Sequence, residues 1–230
     1  MTRCTHPPSR RLWKGVLMPS TAYAGDAFAD GLMALRGHLG HCGGLIELAL
    51  RRATHVIDGD RTLDPGAIAR DHDQLTILSA SCKREVIKLA WHAPTRSHLP
   101  SLVIAFRDAV DLQRMGNTVG EISARCGTVA AHGRPHAHML GQVNGAAIRL
   151  AASLKRLLPD GDRSRATQLC DDGHAVHEML TDLERQTTAW QDGDILELLD
   201  LYGRFVDDAM VIAYRAHRRR HRYLNTGPNS

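Results

Sequence analysis

Between Asp111 and Ser123 the chain reads DLQRMGNTVGEIS, with two side-chain amides, Gln113 and Asn117, four residues apart. On a helix that spacing places one amide a turn above the other on the same side. Gln and Asn are the neutral counterparts of Glu and Asp. A pair of carboxylates so placed would suit a hard or borderline cation, but amide oxygens offset much less of a cation's dehydration. The bland reading is a packed helix with a satisfied polar seam. The sharper one is a metal face whose acids have become amides. Around the amides, Leu112, Met115, Val119 and Ile122 repeat at helical spacing on one side, and Phe106, Val110, Gln113 and Asn117 share the other.

A second stretch, LYGRFVDDAMVIAYR from Leu201 to Arg215, aligns with the first at an offset of 90 (207 minus 117). Arg114 meets Arg204, Ile122 meets Ile212 and Arg125 meets Arg215; Asn117 falls on Asp207 and Gln113 on Gly203. Identity alone makes this a weak repeat. The faces strengthen it: Leu198, Leu201, Phe205 and Ile212 lie opposite Asp200, Asp207, Val211 and Tyr214. A helix with two such faces is sandwiched in a bundle or offers one face to a partner. Two opposed apolar faces also make a homodimer a reasonable expectation. Asp207 is the one carboxylate at these four positions, with Asp200 and Asp208 near enough on a helix to assist it.

Other constellations carry less chemistry. The chain has 14 histidines. The pairs His38 with His41, His174 with His177, and His217 with His221 can each share a helix face, but none stands in a zinc-ligand frame. Solvated side chains are the simpler reading, and the group Asp171, Asp172, His174 and His177 is the best of them. No Glu-x-x-His supports a di-iron carboxylate bundle, and no phosphate loop or nucleophile frame is present; the chain reads as a non-enzyme. The run HRRRHR, His217 to Arg222, suits either the negative end of a helix or an acidic partner or membrane surface.

These residues need elements to position them. The 230-residue chain is 43% hydrophobic and 23% charged, with only 4% aromatics, so Leu, Val, Ile, Ala and Met must fill the core. That suits packed helices in a globular, soluble chain. The net charge of +4 is concentrated in HRRRHR, leaving no broad basic face for nucleic acid. Five cysteines, Cys4, Cys42, Cys82, Cys126 and Cys170, without CxxC, read as reduced thiols, mostly buried, in a cytoplasmic chain. No apolar run is long enough to span a membrane.

Periodicity and breakers predict six helices: from about Ala27 to Ile57, Pro65 to Trp91 with Asp64 as N-cap, Pro100 to Gly127, Ala137 to Leu158, Arg163 to Ala189, and Ile195 to Arg220. AAHGRPHAH is a connector. Residues 1–25 and 223–230 are expected to be disordered extensions, and Met18 is an alternative start. Gly37, Gly40, Gly43 and Gly44 in the first helix are each unfavourable for helix formation but let a neighbouring helix come close. The fold class is all-α: a first three-helix repeat over 26–131 and a second over 132–222.

In these residues the chain resembles the PhoU family, and most of all its actinobacterial, PhoY-type members. The resemblance rests on the order of all six helices: LRGHLGHCGGLIELALRRAT in the first, RDHDQLTILSASCKREVIKLAWHAP in the second, and the DLQRMGNTVGEIS and YGRFVDDAMVIA copies in the third and sixth. It implies two three-helix bundles side by side, each with an acidic pair on its last helix, that can hold multinuclear iron or zinc. Here the pairs fall on Gln113 with Asn117 and on Gly203 with Asp207, so one acid in four remains. No cofactor is expected, and Asp207 is the position left for a divalent or iron cation. Acids at the start of the family's fifth helix make Asp171 and Asp172 capping residues. The resemblance implies a cytosolic adaptor for phosphate-specific transport. It would repress the phosphate regulon by contacts with a PhoR-type sensor histidine kinase and a PstB-type transporter ATPase, reaching the membrane only through them. Gln113, Arg114, Asn117, Arg204 and Asp207 are the docking candidates. A paralogue regulating another system, or a helical metal-binding protein, are the alternatives.

Overall fold

The computed structural model describes residues 21–59, 65–93, 95–131, 137–190 and 193–219. Six long helices make up nearly all of it: α1 (Thr21–Ile57), α2 (Pro65–Trp91), α3 (Leu99–Ala131), α4 (Ala137–Asp160), α5 (Arg163–Trp190) and α6 (Gly193–Arg219). A 3-10 turn, Arg96–His98, leads into α3, and there is no strand among the described residues.

Local chemistry sets several of these ends. Pro65 opens α2, where its missing N–H would have had no intrahelical partner. Asp162 caps α5 by accepting the Arg165 N–H at 2.9 Å. Just before it, Gly161 takes the left-handed conformation (φ 63°) and donates to the Leu157 carbonyl at 2.7 Å, closing α4. Gly59 (φ 74°) stands in the same conformation past the end of α1. Helix α4 runs two residues past the expected Leu158, with Pro159 in its last turn. The start of α1 is a larger departure: the helix begins at Thr21, so residues 21–25 are helical where disorder was expected. That segment lacks apolar periodicity, but Ala22 and Ala24 carry the highest helix propensity. The proposed N-cap Asp64, the connector around 132–136, Cys4, His221 and the tail lie outside the described residues.

Helices α1, α2 and α3 form one bundle and α4, α5 and α6 a second; α1 lies along α4 and α3 along α6. Four helices therefore meet in the middle, with α2 and α5 flanking them. Of Gly37, Gly40, Gly43 and Gly44, two make the expected close approach. A Cβ on Gly43 would stand 3.0 Å from the Lys155 Cα, and one on Gly40 2.9 Å from Pro159 Cγ; Gly37 faces open space.

At the centre Asn144, fully buried, donates to the Leu50 carbonyl at 2.9 Å and to Thr54 Oγ1 at 2.8 Å. The hydroxyl of Tyr202, also fully buried, donates to Asn144 Oδ1 at 3.0 Å. The Cys126 thiol hydrogen-bonds that hydroxyl. One side-chain chain thus joins α1, α3, α4 and α6. The described cysteines are free; Cys42, Cys82 and Cys126 are buried and Cys170 half-buried. Cys42 and Cys82 hydrogen-bond each other between α1 and α2, and that contact together with burial holds the Cys42 thiol protonated.

The repeat is visible in burial. Residues 111–123 of α3 and 201–213 of α6 have the same sequence of buried, half-buried and exposed positions, residue for residue at the offset of 90 (201 minus 111). Leu112, Met115, Val119 and Ile122 are in the core, and so are Leu201, Phe205 and Ile212. Fully burying an aliphatic side chain contributes about 1.5–3 kcal/mol, so these stripes fix which side of each helix faces out.

Candidate functional site

The outward stripes of α3 and α6 carry all five docking candidates. The two helices run antiparallel, as three ion pairs across the seam require: Arg215 with Asp108, Arg114 with Asp208, and Arg125 with Glu197. Candidates read from sequence positions about ninety apart therefore lie on neighbouring helices. The seam itself was not legible in the sequence. Arg114 forks onto Asp208, its Nε donating to Oδ1 at 3.0 Å and to Oδ2 at 2.8 Å, and its Nη2 reaches Asp111 at 3.0 Å. The hydrogen bond to Asp208 is the main reason the Arg114 pKa is raised. Arg215 donates to both Asp108 and Asp111. Arg114 is thus committed within the chain, although its side chain is 56% exposed. Arg204 sits wholly at the surface, paired to Asp200 and, more weakly, influenced by Glu121 of α3.

The α2–α3 face is built around Gln113. Its Oε1 accepts from Lys83 Nζ at 2.6 Å, and Ser79, which donates to the Ala109 carbonyl at 2.8 Å, lies 3.5 Å away. Asn117 is exposed one turn further on. Gly116 lets α2 approach here: a Cβ on it would fall 1.9 Å from Leu75 Cδ2. The lysine partner was missed because it lies on another helix, thirty residues away (113 minus 83). It decides the metal question on this face. Two neutral amides with an ammonium group bonded to one of them are the wrong donor set for a divalent cation.

The α5–α6 face differs. Asp207 Oδ1 lies 3.0 Å from His177 Nε2, and its side chain is 67% exposed. The aspartates suggested as its helpers are engaged elsewhere, Asp208 by Arg114 and Asp200 by Arg204. Open space surrounds Gly203. No group of three or more His, Cys, Asp or Glu side chains is arranged to hold a metal among the described residues. Asp171 and Asp172 lie two turns inside α5, which corrects their reading as caps: Asp162 has that role, and Asp172 accepts from Gln168 at 2.8 Å. Of the other histidine pairs, His38 and His41 are exposed, and His217 contacts Arg163 and Thr167. At the basic end of α6, Arg218 stacks on Tyr214 at 4.4 Å.

No helix among the described residues is long and apolar enough to cross a membrane. The outward faces do carry exposed apolar side chains: Ile77, Ile87 and Trp91 on α2, Val103, Phe106 and Val110 on α3, and Val211 and Tyr214 on α6. Apolar side chains exposed beside charged ones suit these faces to contact with another surface.

No family model matches the chain. Over 205 residues it is 26% identical to phosphate-specific transport system accessory protein PhoU homolog 2 of Mycobacterium tuberculosis and of Mycobacterium bovis, covering 82% of this chain and 94% of each relative. It is 24% identical over 204 residues to PhoU homolog 1 of Mycobacterium leprae, covering 82% of this chain and 90% of the relative. The crystal structure of PhoU from Pseudomonas aeruginosa superposes with a TM-score of 0.73 at 20% identity, over 82% of this chain and 96% of that one. PhoU from Streptococcus pneumoniae gives the same TM-score at 17% identity, over 87% and 98%. In the order and packing of its six helices the chain has the fold of the PhoU structures, and along most of its length it is similar in sequence to the mycobacterial PhoU homologs.

Proposed function

We propose that the chain is a regulatory adaptor of phosphate-specific transport, acting by docking and without bond-making. The carrying observation is similarity to mycobacterial PhoU homologs, named as accessory proteins of that system, over 82% of the chain. In this reading residues 26–131 and 132–222 are two tandem repeats. Their outward α3 and α6 stripes meet a PhoR-type sensor kinase and a PstB-type transporter ATPase in the cytoplasm, so that the phosphate regulon stays off when phosphate is plentiful. The surface residues Gln113, Asn117, Arg204 and Asp207 remain the docking candidates. Arg114 contributes its exposed edge while bonded to Asp208. The exposed apolar side chains of α2, α3 and α6 supply area for a partner or a second copy.

The test is complementation. In an actinobacterial strain stripped of its PhoU-like genes, alkaline phosphatase is made despite high phosphate. Native-level expression of this chain is expected to restore repression. Soluble protein without repression overturns the phosphate reading and leaves the fold serving another system.

A further inference from the structure

The outward face of α2 and α3 carries several cations. On the α2–α3 side Lys83, Arg84, Lys88 and Arg107 stand in or near the outward stripe, and the nearby acid, Glu85, pairs with Lys88 at 3.5 Å. Lys83 has three N–H donors, and the bond to Gln113 uses one. Asn117 presents a side-chain amide one turn beyond Gln113. Apolar groups continue from this spot at helical spacing. Ile87, 54% exposed, is one turn from Lys83 along α2; Val110 and Phe106, 40% and 38% exposed, are one and two turns from Gln113 along α3. The result is an ammonium and an amide at the head of an apolar strip, bordered by further cations.

We propose that this face docks an acidic amphipathic helix of a partner protein, with a Glu or Asp of that helix bonded to Lys83 and its apolar residues laid along Ile87, Val110 and Phe106. Charge complementarity selects the occupant. An ammonium with unused donors beside an apolar strip favours a carboxylate flanked by aliphatic side chains, and disfavours a basic or neutral segment through repulsion or an unpaired charge. A helix seated in this way is read by side chains one turn apart. The proposal rests on the docking reading above and adds the partner's chemistry.

The probe is a phage-displayed library of short helices selected against the full chain, with binding of the best peptide measured by fluorescence anisotropy. The expected winners carry Asp or Glu beside Leu, Ile or Val. Lys83→Glu is expected to weaken them about tenfold or more, and a peptide with Lys in place of its acid should recover binding to that variant. Lys83→Met, which keeps the stem and removes the charge, serves as a folding control by circular dichroism and shows the same loss. Winners without acidic enrichment, or with affinity indifferent to both Lys83 variants, overturn the proposal. So does sedimentation showing a dimer that Lys83→Glu dissociates and the peptides do not, since the occupant is then a second copy. If peptides fail while complementation succeeds, only this inference falls. If peptides bind through Lys83 and complementation fails, the acidic-helix site stands and the phosphate assignment falls.

Discussion

Helices α3 and α6 share one pattern of burial and present different outsides. Their burial matches position by position over 111–123 and 201–213, yet Gln113 faces a lysine where Gly203 faces open space, and exposed Asn117 stands where Asp207 meets a histidine. The buried stripe is held by packing, which tolerates few shapes at any one position. The outward stripe carries no such constraint, and there the two helices offer different chemistry to a partner. A bundle can therefore keep a family's architecture while changing what each of its faces will accept.

The comparison can be broken or sharpened by substitution. The largest expected effects come from matched core truncations. Ile122→Ala and Ile212→Ala remove side chains that are 0% and 1% exposed, and each is expected to cost about 2–5 kcal/mol in chemical denaturation. Costs that differ several-fold would mean that the two stripes are not energetic equivalents. Next is the centre: Asn144→Ala strips the Tyr202 hydroxyl of its acceptor and leaves a cavity, costing about 3 kcal/mol by the same measurement. A loss below about 1 kcal/mol would show the hydrogen-bonded chain to be incidental.

At the seam, Arg114→Ala takes the guanidinium from Asp208, and a loss of about 1 kcal/mol is expected because the arginine is half exposed to solvent. That loss should shrink in high salt. Gly203→Ala has the opposite sign. Nothing stands within 4 Å of the added Cβ, so better helix propensity should raise the Tm by about 2 °C. A fall would reveal a neighbour on that face. The smallest effect is chemical. Burial pushes the Cys126 thiol up to about 12, only partly offset by its Tyr202 contact, so the thiol stays protonated near pH 8. Half-buried Cys170 should therefore be alkylated by iodoacetamide before Cys126, as peptide mass mapping would show.

What the sequence made legible was local. Pro65 at the start of α2, the LPDGD break ahead of Arg163, and the breaks that follow Ile57 and Trp91 mark helix ends because proline, glycine and aspartate act on their own stretch of backbone. The inward stripes were legible for the same reason, since helical period is a property of a short window. The Lys83–Gln113 bond, the Arg114–Asp208 fork and the Asn144–Tyr202 centre were not. Each joins residues 30 to 94 apart (113 minus 83; 208 minus 114), and no local pattern announces such a partner. The α1 glycines fall between these cases. Close approach was readable for the group, but only the fold selects Gly40 and Gly43 over Gly37.

The Asn144 centre has a consequence for how the protein comes apart. Its partners lie on α1 and α6, and its own helix crosses α1 where Gly40 and Gly43 admit Lys155 and Pro159. Opening either bundle alone would strand a buried amide or hydroxyl and uncover that glycine groove, so neither half has a stable way to unfold first. The chain should melt as one unit, with calorimetric and van't Hoff enthalpies in agreement, and the amides of α1 and α4 should exchange with solvent at a common free energy.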